Sequence, residues 1–302
     1  MIKKTLYFGN PAYLKLFQSQ LKVEYPSAEG KEAKTVPVED VGMVILDNPQ
    51  ITITQALLAA LLENNAAVLC CNKKHMPEGL FMPFTANHQY TEKLRHQLNS
   101  SEPLRKSLWQ QTIKQKIANQ HQLLHQHGIK ADNMIYWVKQ VKSGDPDNYE
   151  GRAAAYYWKM VFGENRPFKR WRYGDPPNNL LNYGYAVLRA VVARSLVGSG
   201  MLPAVGIHHR NKYNPFCLAD DIMEPYRPYV DEAVLKITEM FDEDEILDLS
   251  QAVKVELLRV PTIDVMIDEQ SSPLMVAVGR TTASLMQCFE GERRKILYPI
   301  IG

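Results

Sequence analysis

The stretch Leu181-Asn-Tyr-Gly-Tyr185-Ala-Val-Leu188-Arg-Ala-Val-Val192-Ala-Arg-Ser-Leu196 decides the class of fold. Leu181, Tyr185, Leu188, Val192 and Leu196 step by four, three, four and four residues, the repeat of one buried helix face. Ser199-Gly200 ends that helix. On its N-terminal side, Leu104 to His127 reads as a long polar helix with a sparse stripe of Leu108, Ile113, Ile117 and Leu124. Met134 to Val141 closes another helix, and Gly144-Asp-Pro-Asp147 is a stop. A third helix starts near Asp147 and runs through Ala153-Ala-Ala-Tyr-Tyr-Trp158. Further helices are predicted over 225–241, 244–259 and 273–289. From about Gln89 onward the chain reads as helical.

The first 85 residues follow the other period. Thr5-Leu-Tyr-Phe8, Lys34-Thr-Val-Pro-Val38, Gly42-Met-Val-Ile-Leu46 and Ala66 to Cys71 are β-rich segments between turn residues. Leu14 to Tyr25 alternates in part, with Leu21 and Val23 on one face. Thr54 is a candidate N-cap for a single helix carrying Leu57, Leu58, Leu61 and Leu62. The expected architecture is α+β: an N-terminal β-rich domain over 1–85, followed by a larger all-α catalytic domain over 86–302.

The 302 residues are 45% hydrophobic and 23% charged, an ordinary globular composition that excludes a disordered chain or a disulfide scaffold. Net charge is only +2. Its distribution says more: Glu150 to Pro215 holds ten Lys/Arg against three Asp/Glu, and Asp231 to Glu256 nine acidic residues against two basic. Such a division suits a polyanion on one surface, or simply two solvated helix faces. Cys70, Cys71, Cys217 and Cys288 form no CxxC pair, which argues against a zinc ribbon. No leader pattern and no long apolar run is visible, so the expected location is cytoplasmic, without a membrane.

Three clusters could carry chemistry. Glu150 opens Glu150-Gly-Arg-Ala-Ala-Ala, and as a mere cap it would sit at N3 of a box begun by Asp147. Gly206-Ile-His208-His209-Arg210 follows the buried helix; on an extended backbone its two imidazoles would point opposite ways. Asp220, Asp221 and Glu224 lie within five residues; as caps, Asp221 would be the N-cap and Glu224 N3, unless Pro225 delays the helix to itself, and either way the carboxylates are expected exposed at a helix mouth. Together they offer one imidazole and several carboxylates, a set suited to Mg²⁺ or Mn²⁺ acting on a phosphodiester. The segment Arg166-Pro-Phe-Lys169-Arg170-Trp171-Arg172-Tyr173 interleaves cations with aromatics, as a nucleic-acid surface does, although aromatics packed beneath solvated charges would read the same. Arg166, Lys169, Arg170, Trp171 and Arg172, with Arg210 and Lys212, are the candidate DNA-binding residues.

These strings, taken in order, resemble the CRISPR-associated integrase family "Cas one". The matching segments are Val44-Ile-Leu-Asp-Asn-Pro49 with Ile53-Thr54, His75-Met-Pro77-x-Gly79-Leu80, Glu150-Gly-x-Ala-Ala, Asp175-Pro-x-Asn178-x-Leu-Leu-Asn182-Tyr-Gly-Tyr185, His209, and Leu218-Ala-x-Asp221-x-Met-Glu224-Pro-x-Arg-Pro228. The likeness is greatest to members from type II systems. The resemblance implies a metal site of Glu150, His209 and Glu224 with Asp221 as a supporting acid; many relatives have Asp where this chain has Glu224. It implies insertion of spacer DNA into a CRISPR array by attack of a 3′-hydroxyl on a phosphodiester. It further implies double-stranded DNA substrates, a homodimer built by the N-terminal domain, and a small ferredoxin-like partner, "Cas two". The residues alone leave open a metal-dependent repair nuclease and a non-catalytic DNA-binding scaffold.

Overall fold

The computed structural model describes residues 3–26, 33–83, 87–163 and 168–302. The expected domain boundary at 85 and the candidate residue Arg166 fall outside them. The chain divides into two compact units, Met1–His88 and Gln89–Gly302.

The first unit contains β1 (Lys4–Phe8), β2 (Ala12–Phe17), β3 (Gln20–Glu24), β4 (Lys34–Pro37), β5 (Val41–Leu46), β6 (Ile51–Ile53), α1 (Gln55–Glu63), β7 (Ala67–Cys71) and β8 (Pro77–Phe81). One sheet has the order β1-β5-β7-β8, parallel except for β8; the other has the order β4-β3-β2-β6, with only β6 parallel to its neighbour. Leu14, Leu21 and Val23 from the second sheet share a core with Val41, Val44 and Val68 from the first and with Leu57 and Leu61 of α1. Thr54 caps α1, its hydroxyl accepting the Leu57 N–H.

The alternating run from Leu14 to Tyr25 is a hairpin, not one strand. The chain reverses at Gln18 and Ser19, which take φ of 47° and 60°, so that Leu14 pairs Val23 and Leu16 pairs Leu21. Neither turn residue is the Gly or Asn that normally marks such a reversal. The Asp47 and His75 strings tie this unit together: Asp47 accepts from Tyr7 Oη at 2.7 Å and pairs with His75 Nδ1 at 2.9 Å.

The second unit is built from α2 (Tyr90–Leu98), α3 (Glu102–Gln126), α4 (Asp132–Gln140), α5 (Tyr149–Met160), α6 (Asn178–Gly198), α7 (Cys217–Met223), α8 (Arg227–Met240), α9 (Glu243–Leu247), α10 (Gln251–Leu257) and α11 (Leu274–Glu290). A two-stranded hairpin, β9 (Asp264–Ile267) and β10 (Gln270–Pro273), interrupts the helices, so this unit is mostly rather than wholly α. The helix predicted over 244–259 is broken at Leu249, with φ of 49°, and Ser250 caps the restart. Helix α6 is the core: all five residues of its predicted stripe are buried. A Cβ on Gly184 would stand 2.5 Å from Val230 Cγ1, so glycine lets α8 lie close against α6.

Helix α3 crosses this core with an unusual face. Its stripe of Leu108, Ile113, Ile117 and Leu124 is buried as expected, but so are Thr112, Lys116, Asn119 and Gln120. Asn119 Nδ2 donates to Pro225 O at 2.8 Å and Pro299 O at 3.0 Å. A buried amide with two acceptors is satisfied, and it fixes the turn that follows α7 against α3.

Candidate functional site

Four segments bring the site together. The first is the start of α5. Asp147 is not its cap: Asn148 is, in the left-handed region, with its side chain accepting the Gly151 N–H at 3.1 Å. Asp145 takes the Tyr149 and Glu150 N–H groups, each at 2.9 Å. The expected capping box is therefore absent. Those first-turn donors are satisfied by other residues, and the Glu150 side chain is released to point elsewhere.

The second segment is α7 with the 3₁₀ turn Glu224–Tyr226. The helix begins at Cys217, well before Pro225, so Asp221 lies inside it and Glu224 follows one turn later. Both are buried, not exposed at a helix mouth as expected. Burial of a carboxylate is costly unless it is paired, and both are. Asp221 Oδ2 accepts the His208 N–H at 2.9 Å, while Oδ1 accepts the His209 N–H at 3.2 Å and pairs with His209 Nδ1 at 2.5 Å. Gly206 allows this approach: a Cβ there would meet Asp221 Oδ2 at 2.7 Å and collide with the His209 carbonyl.

The third segment is the 206–210 bend. It is not extended, so the two histidines do not diverge. His208 stacks flat on Trp109 of α3, with centroids 4.1 Å apart, and His209 meets the edge of the same indole at 5.6 Å. With both Asp221 oxygens serving as acceptors, Nδ1 of His209 is the donor, which leaves Nε2 as the nitrogen with a lone pair. The hydrogen bond to Asp221 is the largest influence on the imidazole and raises its pKa, against partial burial; Glu224 and Glu150 add to the rise. His208 is shifted down by burial and by the neighbouring His209 imidazole.

The fourth segment is α3 with the start of α8, and the sequence reading did not single out either contribution. Lys116 Nζ lies 2.8 Å from Glu150 Oε1 and 2.6 Å from Glu224 Oε2. Arg227 Nε lies 2.9 Å from Glu224 Oε1. Burial is the largest influence on Glu224 and pushes its carboxyl up, but Arg227 and Lys116 outweigh it and hold the group below its ordinary value. Burial likewise pulls the Lys116 ammonium down, and Glu224 and Glu150 more than restore it. The available signal was a lysine standing three residues from Ile113 on the apolar side of a helix, where long cations rarely bury without a partner.

The structure thus brings Glu150 and Glu224 of the expected set to one cation, Lys116, and joins His209 to Asp221 beside them. Among the described residues no group of three His, Cys, Asp or Glu side chains is arranged to hold a metal ion as the side chains stand. The donor set still fits a hard divalent ion. Two carboxylates already converge on a positive charge, and Glu224 Oε2 meets Lys116 off the hydrogen-bonding direction, leaving this buried oxygen without a directional partner.

The candidate DNA-binding residues separate into two kinds. Arg170 is committed inward: it donates to Asn178 Oδ1 at 3.0 Å and Asn182 Oδ1 at 2.7 Å, and lies over the Tyr185 ring. Phe168 packs on Phe162 and Trp158. Trp171 and Tyr173 stay 56% and 80% exposed, with Lys169 and Arg172 over their rings. Arg210 and Lys212 line a cleft of about 640 Å³ that His209 also borders, and Tyr213 stands exposed at its edge under Lys212. No helix among the described residues is long and apolar enough to cross a membrane.

The sequence profile of the family described as "CRISPR associated protein Cas1" matches residues 6–245. The chain is 36% identical over 287 residues to the CRISPR-associated endonuclease Cas1 of Neisseria meningitidis serogroup C (strain 8013), covering 94% of this chain and 91% of that one. The chain belongs to the Cas1 family. Among solved structures, it shares its fold with a casposase bound to integration product, at 18% identity and a TM-score of 0.78, over 98% of this chain and 92% of that one. It also matches a chain of a Cas6-RT-Cas1–Cas2 complex, at 20% identity and a TM-score of 0.71, over 97% of this chain and 35% of that one.

Proposed function

We propose that this Cas1-family chain is a divalent-metal-dependent DNA endonuclease and integrase that joins new spacer DNA to a CRISPR array, with Glu150, Glu224 and His209 as its metal ligands. The observation that carries the reading is the convergence of two carboxylates on one buried cation position, beside an imidazole whose Nδ1 is held by Asp221. A bound Mg²⁺ or Mn²⁺ would supply charge stabilisation for phosphoryl oxygens. The chain's own groups do the rest. Asp221 keeps His209 in one tautomer and orientation. Arg227 keeps Glu224 in place through its second oxygen. The cations at Lys169, Arg172, Arg210 and Lys212 hold phosphates, and the exposed rings of Trp171 and Tyr173 offer faces for unpaired bases.

The reaction is a transesterification. An O–P bond forms from a DNA 3′-hydroxyl to a phosphate at the edge of the repeat, and the P–O3′ bond of the target strand breaks. One 3′-hydroxyl loses a proton and another gains one, so no external energy source is needed. Positioning and charge stabilisation suffice for such an in-line exchange. Support for integration over simple cleavage comes from the fold shared with a casposase bound to integration product. The match within a Cas1–Cas2 complex supports a Cas2 partner. A ferredoxin-like fold for that partner, a homodimer of this chain and a place in the cytoplasm belong to the same proposal and rest on the family resemblance.

The test is strand transfer of a short duplex into a supercoiled plasmid carrying a repeat, with and without the partner. Wild type is expected to give joined product with Mg²⁺ or Mn²⁺ and none in EDTA. Glu150→Ala, His209→Ala and Glu224→Ala are each expected to abolish joining. Product in EDTA, or full activity in any of the three, would remove the assignment.

A further inference from the structure

The groups in direct contact at the site carry a charge balance that a divalent ion would upset. Glu150, Glu224 and Asp221 bring three negative charges; Lys116 and Arg227 bring two positive ones; His209, as a ligand, is neutral. The site is left one charge negative. A divalent ion turns it one charge positive in a place where Glu224, Asp221 and Lys116 are all buried. Unbalanced buried charge is strongly disfavoured, and the usual remedy is a counter-ion or displacement of a like charge.

Geometry narrows the choice. Lys116 Nζ stands where an ion shared by Glu150 and Glu224 would stand, 2.8 and 2.6 Å from their oxygens. It is a long flexible side chain with an ammonium of adjustable position. Arg227 meets the other oxygen of Glu224 and lies over the Tyr185 ring 4.5 Å away, so it does not stand between the two carboxylates. Glu150 is the more exposed of the two carboxylates, its side chain 24% accessible, so the site opens towards solvent on that side, where a phosphate can approach.

We propose that Lys116 is a resident counter-cation that holds Glu150 and Glu224 as a pair in the free protein and opposes a divalent ion until a DNA phosphate arrives to balance the added charge. This rests on the metal reading above and deepens it: Lys116 is a positioning residue that ties metal loading to substrate. The physical content is a linkage. A phosphate that offsets the surplus charge tightens the metal, and the metal tightens the phosphate by the same factor.

The experiment uses the full chain and Mn²⁺, with free Mn²⁺ followed by its paramagnetic resonance, in the absence and presence of a short DNA duplex. In the wild type, DNA is expected to tighten Mn²⁺ binding at least tenfold. In Lys116→Met, which keeps the stem and removes the charge, Mn²⁺ is expected to bind at least tenfold tighter than in wild type without DNA, and DNA to add little. Lys116→Arg, which keeps the charge, is expected to behave as wild type. Equal Mn²⁺ affinities in wild type and Lys116→Met overturn the proposal. Should Lys116→Met fail to fold, as judged by circular dichroism, the wild type decides alone: an Mn²⁺ affinity indifferent to DNA overturns the counter-cation role. Absence of saturable Mn²⁺ binding in the wild type under both conditions would overturn the metal reading itself, a distinct result.

Discussion

Trp109 lies flat against His208, with the two rings 1° from parallel, and presents the same indole to the edge of His209. The indole is fully buried, so α3 supplies the floor on which the histidine bend rests. Trp109→Ala is expected to cost about 3–5 kcal/mol of stability, as large aromatic truncations do. Trp109→Phe should cost far less and keep the bend. His208→Ala should retain most strand transfer, since its ring only covers the indole. Chemical unfolding and strand-transfer rates on the three variants check this, and an inactive but stable His208→Ala would show that His208 has a direct role.

Asp221 acts on His209 and on the backbone of both histidines. Asp221→Asn conserves shape but replaces one acceptor with a donor, facing either a backbone N–H or Nδ1. Loss of a carboxylate that orients a ligating imidazole typically costs 10–100-fold in metal affinity or activity. That range is expected here in Mn²⁺ affinity, with global stability lowered by about 1–3 kcal/mol for the unpaired donor. A variant with unchanged metal affinity would detach Asp221 from the site.

The parts that could be read from the sequence are those set by local periodicity. The four-three-four-four stripe of α6 is buried without exception, and the Thr54 cap stands where the reading put it. What escaped was set by tertiary contacts. Glu150 looked like a capping residue because Asp147 stood three before it; the helix starts one residue later, on Asn148. Asp221 and Glu224 looked exposed because the partners that permit their burial, the His208–His209 bend, Lys116 and Arg227, come from other segments or lie a turn away. Lys116 stood on a helix read as polar, and its place on the apolar side, three residues from Ile113, was the one local sign that it is buried. Chemistry that needs four segments to converge leaves only its residue types in the sequence.

Asp231 supplies a pH-dependent term. Its carboxylate is buried and accepts hydrogen bonds from Tyr157 and Tyr185. Burial is the dominant influence and raises its pKa from 3.8 to about 6, the two hydroxyls opposing. The folded state then binds more protons than the unfolded state between those values, so stability falls as pH rises through the interval. The rise from 3.8 to about 6 corresponds to about 3 kcal/mol. The unfolding free energy of wild type minus that of Asp231→Asn is expected to fall by up to about 3 kcal/mol between about pH 4 and pH 7. Urea titrations across that range measure it; a difference independent of pH would refute the assignment.

The basic-aromatic loop predicts a split among its cations. Lys169 and Arg172 stand over exposed rings, whereas Arg170 is hydrogen-bonded to two asparagines of α6. Reversing Lys169 and Arg172 to Glu should lower the slope of log affinity against log salt by about 0.9 for each phosphate that the variant no longer neutralises. Arg170→Glu should instead lower stability, because it leaves Asn178 and Asn182 facing a carboxylate. Duplex binding at several salt concentrations, with thermal unfolding of the same proteins, separates the two effects. An unchanged slope in the double variant would make the loop a surface without a DNA role.

The homodimer expected of the N-terminal unit needs a face not already used. The helix α1 is excluded on its apolar side, since Leu57 and Leu61 are fully buried in the unit's own core. The outer side of β2 is different. Tyr13 and Phe17 are about half exposed, opposite the buried Ala12 and Leu14, as the two-residue period of a strand requires. Paired strands with aromatic side chains on an open face are common interface elements. Lys15 and Lys22, both paired with Glu24, lie among them and would limit unspecific association. Substituting Tyr13 and Phe17 together by Glu in the full chain should leave folding intact, because both side chains already meet solvent, and should shift sedimentation from dimer to monomer at micromolar concentration. A double variant that remains dimeric would place the interface on another face of the chain.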